Sequence, residues 1–154
     1  MLQTTDATRA ELRQLDALKT LGDEEIAQLA QLAICRTISA GTILFAEGDE
    51  HSRIYFVADG NLHLQMARSQ AAKQTLLSIG AGELLAWSAI VGPGAMTASA
   101  IAAEQSRVIE LPVGELQRLF ESDPSLGYHF LKIVALALSR RLLATRLQLL
   151  DLLR

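Results

Sequence analysis

A chain of 154 residues, half of them hydrophobic and a fifth charged, can bury one core without staples, which sets it apart from disordered and fibrous sequences. A net charge of −3 provides no global basic field for a nucleic-acid backbone. The single cysteine, Cys35, excludes an intramolecular disulfide and a thiolate metal cage, so a reducing, cytoplasmic setting is expected.

Residues Met1 to Ala10 carry no apolar run, and Arg140, Arg141 and Arg146 interrupt the leucine-rich C-terminal stretch, so neither a signal peptide nor a membrane span is readable. From Asp6 to Leu21, leucines at 12, 15, 18 and 21 recur with helical spacing. Ile26, Leu29, Ala30 and Ala33 mark a second helix from Asp23, with Asp23 expected as its N-cap. After residue 34 the period changes to alternation, punctuated by turns at Gly41, Glu47-Gly48-Asp49, Asp59-Gly60, Gly80, Gly82 and Gly92-Pro93-Gly94. Asp59-Gly60, flanked by Ile54–Val57 and by alternating Leu62, Leu64 and Met66, reads as the clearest hairpin. Further strands are expected at Thr75–Ile79, Met96–Ala102 and Arg107–Leu111, about eight in all.

Pro112 suits the first turn of a short helix, and Asp123-Pro124 supplies an N-cap and first-turn proline for a long one. That helix would run about 43 Å at ~1.5 Å per residue, more than one small β domain covers. Leu131, Ala135, Leu138, Leu142, Thr145, Leu149 and Leu152 follow steps of four and three, the seam of a two-stranded coiled coil, so a homodimer through this helix is expected. A second stripe, Leu143, Leu147 and Leu150, is expected to pack on its own domain. The expected architecture is α+β in one domain, 1–154: N-terminal helices over 1–34, an antiparallel, jelly-roll-like β-roll over 35–111, and C-terminal helices over 112–154.

This order, with the blocks Ala40–Asp49, Ile54–Gly60 and Ala81-Gly82-Glu83, resembles the cyclic-nucleotide-binding domain of the catabolite-activator (Crp/Fnr) type. The resemblance implies a double-stranded β-helix followed by a dimerisation helix, and a phosphate-binding cassette of the form Phe-Gly-Glu-Leu-Ala-Leu, a loop, then Arg, a small residue and Ala. Here the cassette falls on Leu85-Ala86-Trp87-Ser88-Ala89-Ile90, with Glu83 belonging to the preceding turn. Trp87 stands at the glutamate that would meet the ribose 2′-hydroxyl, and Met96, followed by Thr97-Ala98, stands at the arginine that would neutralise the cyclic phosphate. No Arg or Lys occurs between Lys73 and Arg107. Losing both charge-assisted contacts, at roughly 1.5 to 3 kcal/mol each, weakens binding by about two to four powers of ten. The ligand-pocket positions are Ala86, Trp87, Ser88, Met96, Thr97 and Ala98, and cAMP is not expected to bind in the family's manner.

Several readings stay open. An anion could be held by backbone amides near Ala86–Ala89, or by an arginine from the long helix or the other subunit. Trp87 and Met96 could instead fill the pocket, or Trp87 could stack on a planar ligand. The three histidines are widely separated, and no metal or cofactor is expected; haem on Cys35 is the one remote exception. Ser88 and Thr97 lack a recognisable base, and no phosphate loop of the Gly-x-x-x-x-Gly-Lys type occurs, so there are no catalytic residues and the expected role is non-enzymatic. Lys132, Arg140, Arg141 and Arg146 are expected to flank the seam. The chain ends at Arg154, before the helix-turn-helix of the family's transcription factors, so this chain is not expected to bind DNA directly; a truncated regulator would look the same. The expected function is a regulatory or sensory module with an unidentified small-molecule or protein partner, the competing view being a structural or interaction domain with a self-filled pocket.

Overall fold

The computed structural model describes residues 5–69, 72–92 and 94–154, without the side chains of 68 and 69. Pro93, within one of the expected turns, lies outside the described residues. Helix α1 (Thr5–Gln14) and a 3-10 turn (Asp16–Leu18) precede α2 (Asp23–Leu32). The helical leucine spacing from Asp6 to Leu21 is therefore split: Leu15 is extended (φ −76°, ψ 119°), and Arg13 ties the fold-back by donating to the Leu21 carbonyl at 2.9 Å and pairing with Asp23. All four leucines are nonetheless buried. The N-cap of α2 is Gly22 rather than Asp23, and the Glu25 carboxylate accepts from the Gly22 amide at 3.0 Å.

Eight strands follow: β1 (Ile34–Ile38), β2 (Ile43–Phe45), β3 (Arg53–Asp59), β4 (Asn61–Ser69), β5 (Ala72–Gly80), β6 (Leu84–Leu85), β7 (Ser99–Ala102) and β8 (Ser106–Pro112). They form two four-stranded antiparallel sheets, ordered β1-β8-β3-β6 and β2-β7-β4-β5. This is an α+β, jelly-roll-like β-roll, as the sequence leads one to expect. Asp59-Gly60 is not a hairpin, however, because β3 and β4 lie in different sheets; it is the corner between them. Gly60 has φ +103°, and a Cβ there would stand 2.2 Å from the Ser106 hydroxyl, which accepts from the Asn61 amide at 3.1 Å. The true hairpin is β4–β5. Strand β7 starts at Ser99, because the Met96 amide and carbonyl are engaged instead by Asp49 and Gly48.

β3 has both faces covered. Ile54 and Phe56 join the cluster beneath the helices, with Leu12, Leu18, Leu29, Ile109, Leu111, Phe130 and Val134, whereas Tyr55 and Val57 point into the roll with Leu62, Leu64, Leu85, Met96 and Val108. Opposite Tyr55, β8 turns Glu110 toward the same interior. Glu110 is 1% exposed and accepts from Arg53 at 2.6 Å, with Arg36 at 3.4 Å, so one buried carboxylate binds β1, β3 and β8 together.

Helix α3 (Ser88–Val91) is short, and α4 (Val113–Ser122) leads to α5 (Pro124–Leu152). Pro112 ends β8 and takes the N-cap of α4, one position before the expected helical turn. Asp123 caps α5, accepting from the Leu126 amide at 3.2 Å, with Pro124 in its first turn. Leu126, Gly127, Phe130, Ile133 and Val134 are buried, Ala137, Leu138, Arg141 and Ala144 are half-buried, and from 145 on the helix is exposed. Of the seam, Leu131, Ala135, Leu142, Thr145, Leu149 and Leu152 are exposed, and Leu138 is half-buried on the helical cluster. The stripe of Leu143, Leu147 and Leu150 does not pack on its own domain, since each is more than half exposed. The helix has passed beyond the roll there, and among the described residues the side chain bond back to it is Gln148 donating to the carbonyl of Leu76, a bulge residue skipped in the β4–β5 register. No helix among the described residues is long and apolar enough to cross a membrane.

Candidate ligand pocket

The cassette follows from a hydrogen-bonded turn at Gly80–Glu83. Gly82 (φ +88°) donates to the Val57 carbonyl at 2.7 Å, and the Glu83 carboxylate accepts from the Gly80 amide at 2.7 Å. Glu83 is thus occupied in the turn, as expected. Leu84 and Leu85 pair with Phe56 and Tyr55, and the chain then turns at Ala86, the one described residue other than glycine with positive φ, +65°. Ala86 occupies the position where the resembled cassette has glycine. Its left-handed backbone leads into α3, at an energetic cost that glycine would not incur.

All six cassette positions singled out from the sequence line one pocket, together with Phe45, Leu64, Leu85 and Arg141. Met96 is 3% exposed and belongs to the roll interior. Trp87 is half-buried and leans on the helical cluster rather than the roll interior. Ser88 is buried, Ala98 half-buried and Thr97 exposed. The cavity left among them is about 30 Å³. That admits about two water-sized groups at ~15 Å³ each, against the ~300 Å³ or more of an ordinary small-molecule pocket. Larger openings lie elsewhere: a groove of about 690 Å³ between the β4–β5 hairpin and Gln148, Asp151 and Leu152, and a cleft of about 500 Å³ lined by Glu11, Asp16, Asp59, Glu83, Arg107 and Arg140.

Arg141, one of the long-helix arginines expected to flank the dimer seam, lines this pocket. Its guanidinium donates to the Leu84 carbonyl at 2.7 Å, and no carboxylate pairs with it among the described residues. Burial pushes its pKa below the ordinary arginine value, opposed by the Glu83 charge. The signal was available in the helix phase: the buried register Leu126, Phe130, Ile133, Ala137 arrives at Arg141 four residues on. Thr145 does not line the pocket; its hydroxyl donates to the Arg141 carbonyl at 2.9 Å.

The remaining chemistry is structural. Burial, with the nearby Glu11 carboxylate, raises the Cys35 thiol to about 11, so it is protonated at neutral pH. His51 shares a 2.6 Å hydrogen bond with the Tyr55 hydroxyl, and His129 pairs with Glu25 at 2.8 Å. Among the described residues, no group of three or more His, Cys, Asp or Glu is placed to hold a metal ion.

The family model for the cyclic nucleotide-binding domain matches residues 35–123, the roll, its cassette and α4. A cyclic nucleotide-binding domain from Methylobacillus flagellatus superposes with a TM-score of 0.81 at 20% identity, over 96% of this chain and 83% of that one. The catabolite activator protein of Thermus thermophilus gives 0.70 at 28% identity, over 89% of this chain and 62% of that one. A candidate potassium channel protein of Rhodopseudomonas palustris is 26% identical over 115 residues, 75% of this chain; the chain spans 27% of that protein's length. With more than half of its residues inside the family model, and a roll and cassette built as described, the chain belongs to the cyclic nucleotide-binding domain family, a fold of the regulatory-module type.

Proposed function

We propose that the chain is a non-enzymatic regulatory module, one domain over 1–154, that does not bind cAMP in the family's usual manner and pairs with a second copy through α5. Met96 is the observation that carries this reading: the position that would offer a guanidinium to the cyclic phosphate holds a buried thioether packed into the roll. Trp87 offers the ribose no carboxylate, and about 30 Å³ leaves no room for a purine nucleotide. The path from pocket to dimer is short, because Arg141 lines the cavity and lies between the seam residues Leu138 and Leu142. An occupant that moves Arg141 acts on the pairing helix directly.

Calorimetry with cAMP, cGMP and cyclic dinucleotides tests the pocket. Wild type is expected to show no micromolar binding, and Met96→Arg combined with Trp87→Glu to gain cAMP affinity; micromolar cAMP binding by wild type overturns the reading. A second reading, a structural or interaction domain with a self-filled pocket, is favoured by the burial of Met96. It predicts that no small ligand raises the unfolding temperature.

A further inference from the structure

We propose that the outer stripe of α5, Leu136, Leu143, Leu147 and Leu150, docks an amphipathic helix of another protein that carries carboxylates opposite Arg140 and Arg154. The inference goes beyond the regulatory reading above and uses that reading only where it invokes pairing through the seam. Positions 136, 140, 143, 147, 150 and 154 follow steps of four and three, so the stripe has the register of a second coiled-coil seam with arginine at two of its six places. On a helix turning about 100° per residue, it lies roughly 150° from the seam of Leu142 and Leu149 and roughly 120° from the side that carries Arg141 and Gln148 to the roll. Neither surface covers it, and its four leucines are each more than half exposed. Single exposed leucines are ordinary, but an aligned row about 21 Å long is a surface shaped for a helix.

The arginines select the occupant. Arg140 borders the cleft that also holds Asp16 and Glu83, yet no carboxylate pairs with it among the described residues. Arg154 reaches only the exposed Asp151 of its own helix, at 3.5 Å. Against a second copy in parallel register each arginine would face itself, and in antiparallel register Arg140 would face Leu150 and Arg154 would face Leu136. Both arrangements leave the charges unmet. A helix with Glu or Asp at those two places meets both, while its apolar positions cover the leucines. A lipid surface fits less well, because a parallel pair has its two-fold axis along the seam and turns the two stripes away from each other. One flat bilayer meets one stripe, whereas two helices can dock on opposite sides of the pair.

The test uses the whole chain and two labelled synthetic peptides of about three heptads, followed by fluorescence anisotropy. Both carry leucine along one seam, and the two places that would face Arg140 and Arg154 hold glutamate in one peptide and lysine in the other. Wild type should bind the glutamate peptide about tenfold more tightly than the lysine peptide. Arg140→Glu should shrink or reverse that preference. Leu143→Ser with Leu147→Ser should abolish binding, and Leu142→Glu with Leu149→Glu should retain it. Equal affinity for the two peptides, binding of neither, or binding that persists without Leu143 and Leu147 overturns the proposal. Co-sedimentation with phosphatidylserine–phosphatidylcholine vesicles in the absence of a peptide preference assigns the stripe to a membrane and overturns it as well. Should a variant fail to fold, the peptide pair decides on wild type alone. A wild-type monomer that keeps the peptide preference defeats pairing through α5 and leaves the docking helix standing, whereas a wild-type dimer indifferent to both peptides defeats only the docking helix.

Discussion

The two halves of α5 are one continuous helix with opposite environments. Residues 124–134 bury Leu126, Phe130, Ile133 and Val134 against the roll and α4, and Phe130 meets Phe56 edge-on at 6.3 Å between ring centres. Residues 142–152 carry at least as many leucines and expose them: Leu142 is 51% exposed, Leu149 56% and Leu152 82%. Apolar content does not distinguish the halves. What separates them is whether the chain's own roll extends far enough to cover them, so the same residue type serves folding in one half and remains available for association in the other.

The sharpest way to break this contrast is at Phe130. Phe130→Ala should lower the unfolding free energy by about 3 to 5 kcal/mol in urea titrations, whereas Leu149→Ala should leave the monomer within about 0.5 kcal/mol. Next comes Gly127, where a Cβ would stand 2.9 Å from the Phe120 Cβ. Gly127→Ala should destabilise by about 1 to 3 kcal/mol despite alanine's better helix propensity, and a gain in stability would show that the α4–α5 contact yields. Removing the cap with Asp123→Ala should cost about 1 kcal/mol, felt in the first half only.

In the second half the expected effect is on assembly. If α5 pairs as proposed, Leu142→Glu with Leu149→Glu should yield a monomer where wild type sediments as a dimer, while leaving the far-ultraviolet signal unchanged; an unaltered mass would remove the seam from the account. The smallest effect concerns pH. Glu25 sits below its ordinary pKa: burial would raise it, but the Gly22 amide and His129 outweigh that. Its folded value is depressed, so its contribution to docking α2 on α5 is present above the ordinary glutamate pKa and is lost as pH falls through the folded value. The stability difference between wild type and Glu25→Gln should therefore vanish on acidification over that window.

The roll was legible in the sequence where one face of a strand meets water. Leu62 and Leu64 alternate with Asn61, His63 and Gln65, and β4 lies where that pattern puts it. It was less legible in β3, where Ile54 through Val57 form an unbroken apolar run because helices cover one face and the second sheet the other, so nothing in the run says that β4 pairs elsewhere. The corner at Gly60 imitates a hairpin for the same reason: a tight turn needs positive φ whether or not the strands it joins are neighbours. In the pocket, the six cassette positions were found by spacing from the glycine blocks. That an arginine of the long helix could reach the pocket was open in the sequence, but which one was not legible, because the place of Arg141 follows from helix phase 45 residues after Met96, and a charge among leucines reads as solvated until the buried register of the first half is carried forward.

Cys35 has a practical consequence. It is the only thiol in the chain, and with its pKa near 11 it carries about two powers of ten less thiolate at neutral pH than an exposed cysteine does. Electrophilic labels should therefore pass it by. A cysteine placed at an exposed helix position such as Ser139 or Arg146 could take a spin label or fluorophore selectively in the otherwise native chain, making the separation between two copies of α5 directly measurable.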